Sequence, residues 1–266
     1  MPADYLDFFR RGRSDLSNFL VHLTKDGTFE EWRPADYIPG SFLYGSSTTI
    51  RARDSLIAIL TGNPPMLQAR SPFGIFKLIG INVGRKMKKG VHPDWLKCVC
   101  FSETPLHELN GFYQATQDPR NWTLKANKYQ KYGLAFEATY IRTKGGHPIF
   151  YYDRSQPSIQ RPVESLADQP LLNITKSLLP FFEPFGPKLL QPEKEVDFRW
   201  EREWRINGDL TFNLSEVAFG ICPADEISTF KEMVSNSFPF IDPDWDFAAT
   251  KTYLVRNGWP ALAAKL

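Results

Sequence analysis

The stretch WEREWRI, residues 200–206, sets two carboxylates one residue apart, with Arg202 between them, Arg205 two residues after the second, and a tryptophan on either side. If it is a β-strand, alternation puts Glu201, Glu203 and Arg205 on one face and Trp200, Arg202 and Trp204 on the other. Two carboxylates about 7 Å apart on one face repel each other unless a cation compensates or a cationic ligand is the target. The sharper expectation is a pair of carboxylates aimed into one cleft. The competing expectation is a solvated ladder of charges on an edge strand.

Three other stretches carry groups able to work with that pair. In LVHLT, His22 and Thr24 sit two apart in an apolar run and share a face, as a polar floor to a ligand cleft or as partly buried groups bonded to backbone. In VCFSETPLHEL, Thr104 suits the N-cap of a helix with Pro105 at its first position, which leaves Ser102 at a strand end to face a cleft. Tyr129, Tyr132, Tyr140, Tyr151 and Tyr152 lie close in sequence and offer either core or flat faces for a stacked nucleotide. The run GRKMKKG gathers Arg85, Lys86, Lys88 and Lys89 in a glycine-bounded loop suited to a nucleic-acid backbone.

The elements that must position these groups follow from periodicity and punctuation. NFLVHLTK (18–25) and LKCVCFSE (96–103) read as strands. SLIAILTG reads as a short helix with Asp54 as N-cap and Gly62 as its close. From Tyr132 to Asp153 the pattern gives a strand, a short helix, a Gly-Gly turn and another strand. Residues 154–195, with LLNITKSLLPFFEPF, are expected to form a helical insertion. FRWEREWRI and LTFNLSEVAFGICP follow as strands, ADEISTFKEMVSNSF as a capped helix and ATKTYLVRNG as a closing element. The whole is α+β, expected to be a single domain over 1–266.

The chain has 266 residues, ample for one large core, and its formal net charge of +2 is too small to diagnose a nucleic-acid partner by itself. No run of about 18 apolar residues and no charged-then-apolar leader is present, so neither membrane nor secretion is expected. Cys98 and Cys100 fit two thiols on one face of a strand. With Cys222 they make an odd count of three that argues against a disulfide framework or a zinc site, and a cytoplasmic location fits.

The set CFSETPLHEL, KYGLAFEATYIRTKGGHPIFYY, WEREWRI and VAFGICP, spanning about residues 98–223, resembles the AbiGi-type abortive phage resistance family. More distantly, FLVHLT followed by SLIAILTG, a strand ending in Ser102 and a late Glu-x-Glu resemble the DarT-type ADP-ribosyltransferases. That resemblance implies a core of two small packed β-sheets with flanking helices, and NAD as co-substrate with no metal. It implies that His22 holds the adenosine ribose or a phosphate, that Ser102 supports the nicotinamide ribose, and that Glu203, partnered by Glu201, stabilises the transition state. Thr24, Tyr132 and Arg205 complete the expected NAD contacts. The acceptor would be RNA, DNA or protein, in a toxin or anti-phage effector with a cognate antitoxin or toxin as partner. Two other classes stay open: a non-catalytic antitoxin or sensor on the same fold, and a metal-dependent nuclease using the paired acids.

Overall fold

A computed structural model of the chain describes residues 17–28, 49–70, 94–117, 129–167, 177–188 and 191–266. The basic run Arg85, Lys86, Lys88 and Lys89 lies outside these residues. In chain order the strands are β1 (Phe19–Lys25), β2 (Gly27–Thr28), β3 (Thr49–Ile50), β4 (Met66–Leu67), β5 (Cys98–Ser102), β6 (Tyr129–Glu137) and β7 (His147–Pro148). They continue with β8 (Phe150–Asp153), β9 (Phe182–Lys188), β10 (Gln191–Val196), β11 (Glu203–Asn207), β12 (Leu210–Thr211), β13 (Phe219–Ile221) and β14 (Phe240–Ile241).

The protein mixes α and β structure around a seven-stranded sheet of order β14-β13-β6-β1-β5-β11-β7. A three-stranded sheet, β10-β9-β8, and two two-stranded ribbons take the remaining strands. Half of the strands thus belong to one large sheet; the expected core was of two small packed sheets. The chain divides into two compact units, one of residues 1–21, 66–105 and 136–212, the other of 22–65, 106–135 and 213–266.

In the first unit, β5 is antiparallel to both β1 and β11, and β11 also pairs with β7. The β5 sequence CVCFS alternates, so Val99 and Phe101 point to one side and Cys98, Cys100 and Ser102 to the other. The apolar side is filled by Phe101 edge-on to Phe136 at 5.8 Å, and Phe136 is edge-on to Phe212 at 5.2 Å. Gly145 at φ +84° makes the expected turn after the helix Ala138–Thr143.

Among the described residues of 154–195, where a helical insertion was expected, the α-helix Pro157–Ala167 is followed by strands, and its Val163 packs with Leu96, Tyr152 and Leu179. The second half becomes β9 and β10, with β9 running parallel to β8. Pro180, Pro184 and Pro187 explain this: at that spacing each removes a helical hydrogen bond, whereas an extended edge accommodates them.

In the second unit, β13 lies between β6 and β14, antiparallel to the first and parallel to the second. Phe240 lies over Gly220, where a Cβ would meet the ring at 2.2 Å, and Phe230 of the helix Ile227–Val234 packs on that ring at 5.3 Å. The helix Ala52–Thr61 starts before Asp54, which occupies its first turn and not its N-cap. The free N–H of Ala52 is instead met at 2.8 Å by the Asp26 carboxylate, which supplies the missing cap from the end of β1.

Candidate functional site

The register around β5 decides what the acids can do. Ser102 has Val21 of β1 opposite it on one side and Glu203 of β11 on the other. Directly opposed residues share a face, so Val21, Ser102 and Glu203 line up across three neighbouring strands. Continuing along the pair, Arg205 faces Cys100 and Asn207 faces Cys98 on the same side. His22 follows Val21, and strand alternation turns His22 and Thr24 to the opposite face of β1 from Val21.

Glu201 and Glu203 do not sit on one strand. Asp197 accepts from the backbone N–H of Arg199 at 3.0 Å and grips its guanidinium, and this starts a 3₁₀ turn over Arg199–Glu201. Arg202 then adopts φ +47°, the left-handed region, and the strand begins only at Glu203. A non-glycine residue there costs about 1–2 kcal/mol. The end of β5 clamps it: the Ser102 hydroxyl donates to the Glu201 carbonyl at 2.5 Å, and the Glu103 N–H donates to the Arg202 carbonyl at 3.2 Å. Thr104 completes the clamp with a hydroxyl contact to Ser102 at 2.6 Å, so its side chain serves Ser102 and not a helix cap. The tryptophans separate accordingly. Trp204 is buried and donates from its indole to Glu103 at 3.1 Å, while Trp200 lies half-buried in the turn and donates to the Asp197 carbonyl at 3.0 Å.

On the polar side of the sheet, Arg205 is 2% exposed and all five of its N–H donors are used. Its fork grips Glu203 through two bonds of 2.8 Å, one to each carboxylate oxygen. Nη2 also donates to Glu183 at 2.7 Å, and Nη1 to the carbonyls of Pro180 at 2.7 Å and Phe182 at 3.3 Å. Burial works against the guanidinium charge, yet the Glu203 and Glu183 carboxylates more than offset it and hold its pKa above the usual arginine value. With all five donors engaged inside the protein, Arg205, read from the sequence as an NAD contact, organises the acids.

Tyr151 pins the entry to β11. Its hydroxyl accepts from the Glu203 N–H at 3.1 Å and donates to the Phe198 carbonyl at 3.0 Å. Burial pushes this phenol well above the ordinary tyrosine range, and the Glu203 and Glu201 carboxylates add to the shift. Glu183 stands opposite Tyr151 in the β8–β9 pairing and is 2% exposed. Its Oε1 has no hydrogen-bond partner among the described residues. Burial raises its carboxyl to about 7, against the opposing pull of Arg205, with the Glu203 charge adding to the rise. Beneath Arg205 the free thiols of Cys98 and Cys100 lie 3.7 Å apart, on one face as expected. The Cys98 contact, then burial, raises the Cys100 thiol well above its ordinary value.

Two further expected NAD contacts are joints of the second unit. The buried Thr24 hydroxyl lies 3.0 Å from the carbonyls of both Ala52 and Tyr132, joining β1 to a helix and to β6. Tyr132 donates to Glu226 at 2.5 Å, and Glu226 also binds Arg53. Close approach of β6 to β1 requires Gly133, where a Cβ would lie 2.5 Å from the His22 carbonyl oxygen.

Among the described residues no group of three or more His, Cys, Asp or Glu side chains is placed to hold a metal ion, and no helix is long and apolar enough to cross a membrane. Comparison of the chain with protein-family models, with curated proteins and with solved structures returned no match. Glu183 escaped the sequence reading, although a single acid inside the apolar run LLPFFEPF is a signal in itself. Buried among such neighbours, it must pair with a cation or keep its proton.

Proposed function

We propose that this chain is an NAD-consuming ADP-ribosyltransferase, acting as a toxin or an anti-phage effector on a nucleic-acid or protein acceptor. The observation that supports this most is the order of the strands. Those bearing the first-strand, middle-strand and acidic motifs are neighbours in that order, with Ser102 in register between Val21 and Glu203. In this reading the bond between nicotinamide and ribose breaks, nicotinamide leaves with the bonding electrons, and the Glu203 carboxylate faces the cationic sugar. Arg205 occupies one lone-pair direction on each Glu203 oxygen and leaves the others for the ribose. Glu201, displaced from the strand by the Arg202 turn, is assigned to the approaching acceptor.

The test is incubation of the protein with NAD labelled in the adenylate, together with RNA, DNA and cell lysate, following both free nicotinamide and transferred label. Wild type should release nicotinamide, and Glu203→Gln should reduce that release about 10²–10³-fold, the effect of one well-placed electrostatic group. No release and no label transfer from wild type refutes the assignment.

One observation favours a second reading, a non-catalytic antitoxin or sensor on the same fold. Both Glu203 oxygens are held by Arg205 and the side chain is largely buried. Expression separates the two. A lethal wild type rescued by Glu203→Gln supports the enzyme; a harmless wild type that neutralises a neighbouring gene product supports the module.

A further inference from the structure

Two buried carboxylates share one guanidinium in the first unit. Glu203 takes two of the Arg205 hydrogen bonds and Glu183 takes one, from the same Nη2 that also serves Glu203. Glu183 is 2% exposed, and its second oxygen has no hydrogen-bond partner among the described residues. A buried carboxylate oxygen without a donor is unfavourable, whereas a protonated carboxyl at that place carries no net charge to solvate. We infer that Glu183 is a positioning residue for Glu203, acting through Arg205: its proton decides whether the guanidinium is committed to Glu203 or divided between two acids.

Among the described residues, the charged and titratable groups around Glu183 come from several neighbouring elements. From β11 come Arg205 and Glu203. From β8 and the turn after it come Tyr151, Tyr152 and Arg154, the last bonded to the Pro184 carbonyl and close enough to favour the ionised form of Glu183. From β5 come the thiols of Cys98 and Cys100, which face Arg205, and from β7 comes His147, whose ring meets Phe181 edge-on. Against one fully engaged arginine, the burial of Glu183 outweighs these attractions and sets its titration near 7, in the range where cells operate.

Each protonation state has its own consequence. With Glu183 protonated, Arg205 faces one carboxylate, and the charge of Glu203 is largely compensated. With Glu183 ionised, one guanidinium serves two carboxylates, and Glu203 keeps more of its negative charge for a cationic sugar. The sign for stability is opposite. The folded carboxyl holds a proton that the unfolded one has already lost, so stability falls as pH rises from about 4.5 to about 7 and levels off above.

The activity arm of the test rests on the transferase reading; the two stability arms do not. Thermal midpoints of the full chain are measured from about pH 4.5 to about pH 8 for wild type, Glu183→Gln, Glu203→Gln and the double variant. Wild type should lose stability across that window relative to Glu183→Gln, whose amide cannot ionise, and the two substitutions should be non-additive. Nicotinamide release by wild type should rise about tenfold between pH 6 and pH 8, the change in ionised fraction of a group titrating near 7, while Glu183→Gln stays at the low-pH rate. A stability difference independent of pH, or additivity in the cycle, overturns the inference. A pH-dependent difference with non-additivity, but no nicotinamide from wild type at any pH, upholds the coupling and sinks the transferase instead. If Glu183→Gln does not fold, infrared spectra of wild type decide. A protonated-carboxyl band that fades as pH passes neutrality supports the inference, and its absence throughout overturns it.

Discussion

Replacing Arg205 by methionine removes the cation and keeps most of the side chain's length. Two carboxylates, Glu203 and Glu183, are then left buried on one side of the sheet with no positive partner in contact, and the carbonyls of Pro180 and Phe182 lose their donors. Breaking a buried ion pair from one side is destabilising by about 3–5 kcal/mol, because it is the uncompensated charge that dominates and not the lost attraction. Against a total stability of roughly 5–15 kcal/mol, that removes about a fifth or more of it. The loss also has a pH signature. Without Arg205 the buried negative charges are uncompensated, so the deficit is smaller at pH 5, where protons neutralise carboxylates, than at pH 8. Urea denaturation at the two pH values reads both effects, with the unchanged slope as the check that the variant still unfolds in one step. Adding Glu183→Gln to Arg205→Met should recover part of the deficit at pH 8, since one of the two stranded charges is gone. A deficit below about 1 kcal/mol at pH 8, or one that does not change with pH, would show that the acids are solvated and that the centre described here is not buried as the structure has it.

Trp204→Ala should lower stability by about 3–5 kcal/mol in the same urea assay, since it empties a buried site and leaves Glu103 without its indole donor. Arg202→Gly should raise stability by about 0.5–1 kcal/mol, because glycine takes φ +47° without steric penalty. If nicotinamide release falls while stability rises, the Arg202 side chain serves the reaction and the strained backbone is its cost; a loss of stability instead would show that its side-chain contacts outweigh the strain.

The compact apolar runs in NFLVHLTK, LKCVCFSE and YGLAFEA were enough to find β1, β5 and β6, because a short, mostly buried strand reads as a continuous apolar stretch. The turn from strand to helix to Gly-Gly to strand was legible for the same reason, with glycine marking the left-handed step. WEREWRI misled because alternation of charge and tryptophan imitates a strand, while the actual break at Arg202 is a left-handed arginine, which no propensity would place there. LLPFFEPFGPK misled because its apolar content was given more weight than its prolines. For the acids, position along the strand was readable and partner was not. That Arg205 belongs to Glu203 follows from their spacing of two; that it also belongs to Glu183, 22 residues upstream, depends on the pairing of β8 with β9.

The Arg205 centre also bears on how this chain can be cut and recombined. Three of its five hydrogen bonds come from Pro180, Phe182 and Glu183, within the stretch that sequence alone marked as an insertion. A true insertion can be trimmed or exchanged between lineages without disturbing its host. Here a shortened descendant would keep WEREWRI intact and still strand the arginine at its centre, so the motif and residues 180–183 can be inherited only together. Any shorter natural version of this architecture should therefore have changed Arg205 along with the segment it lost.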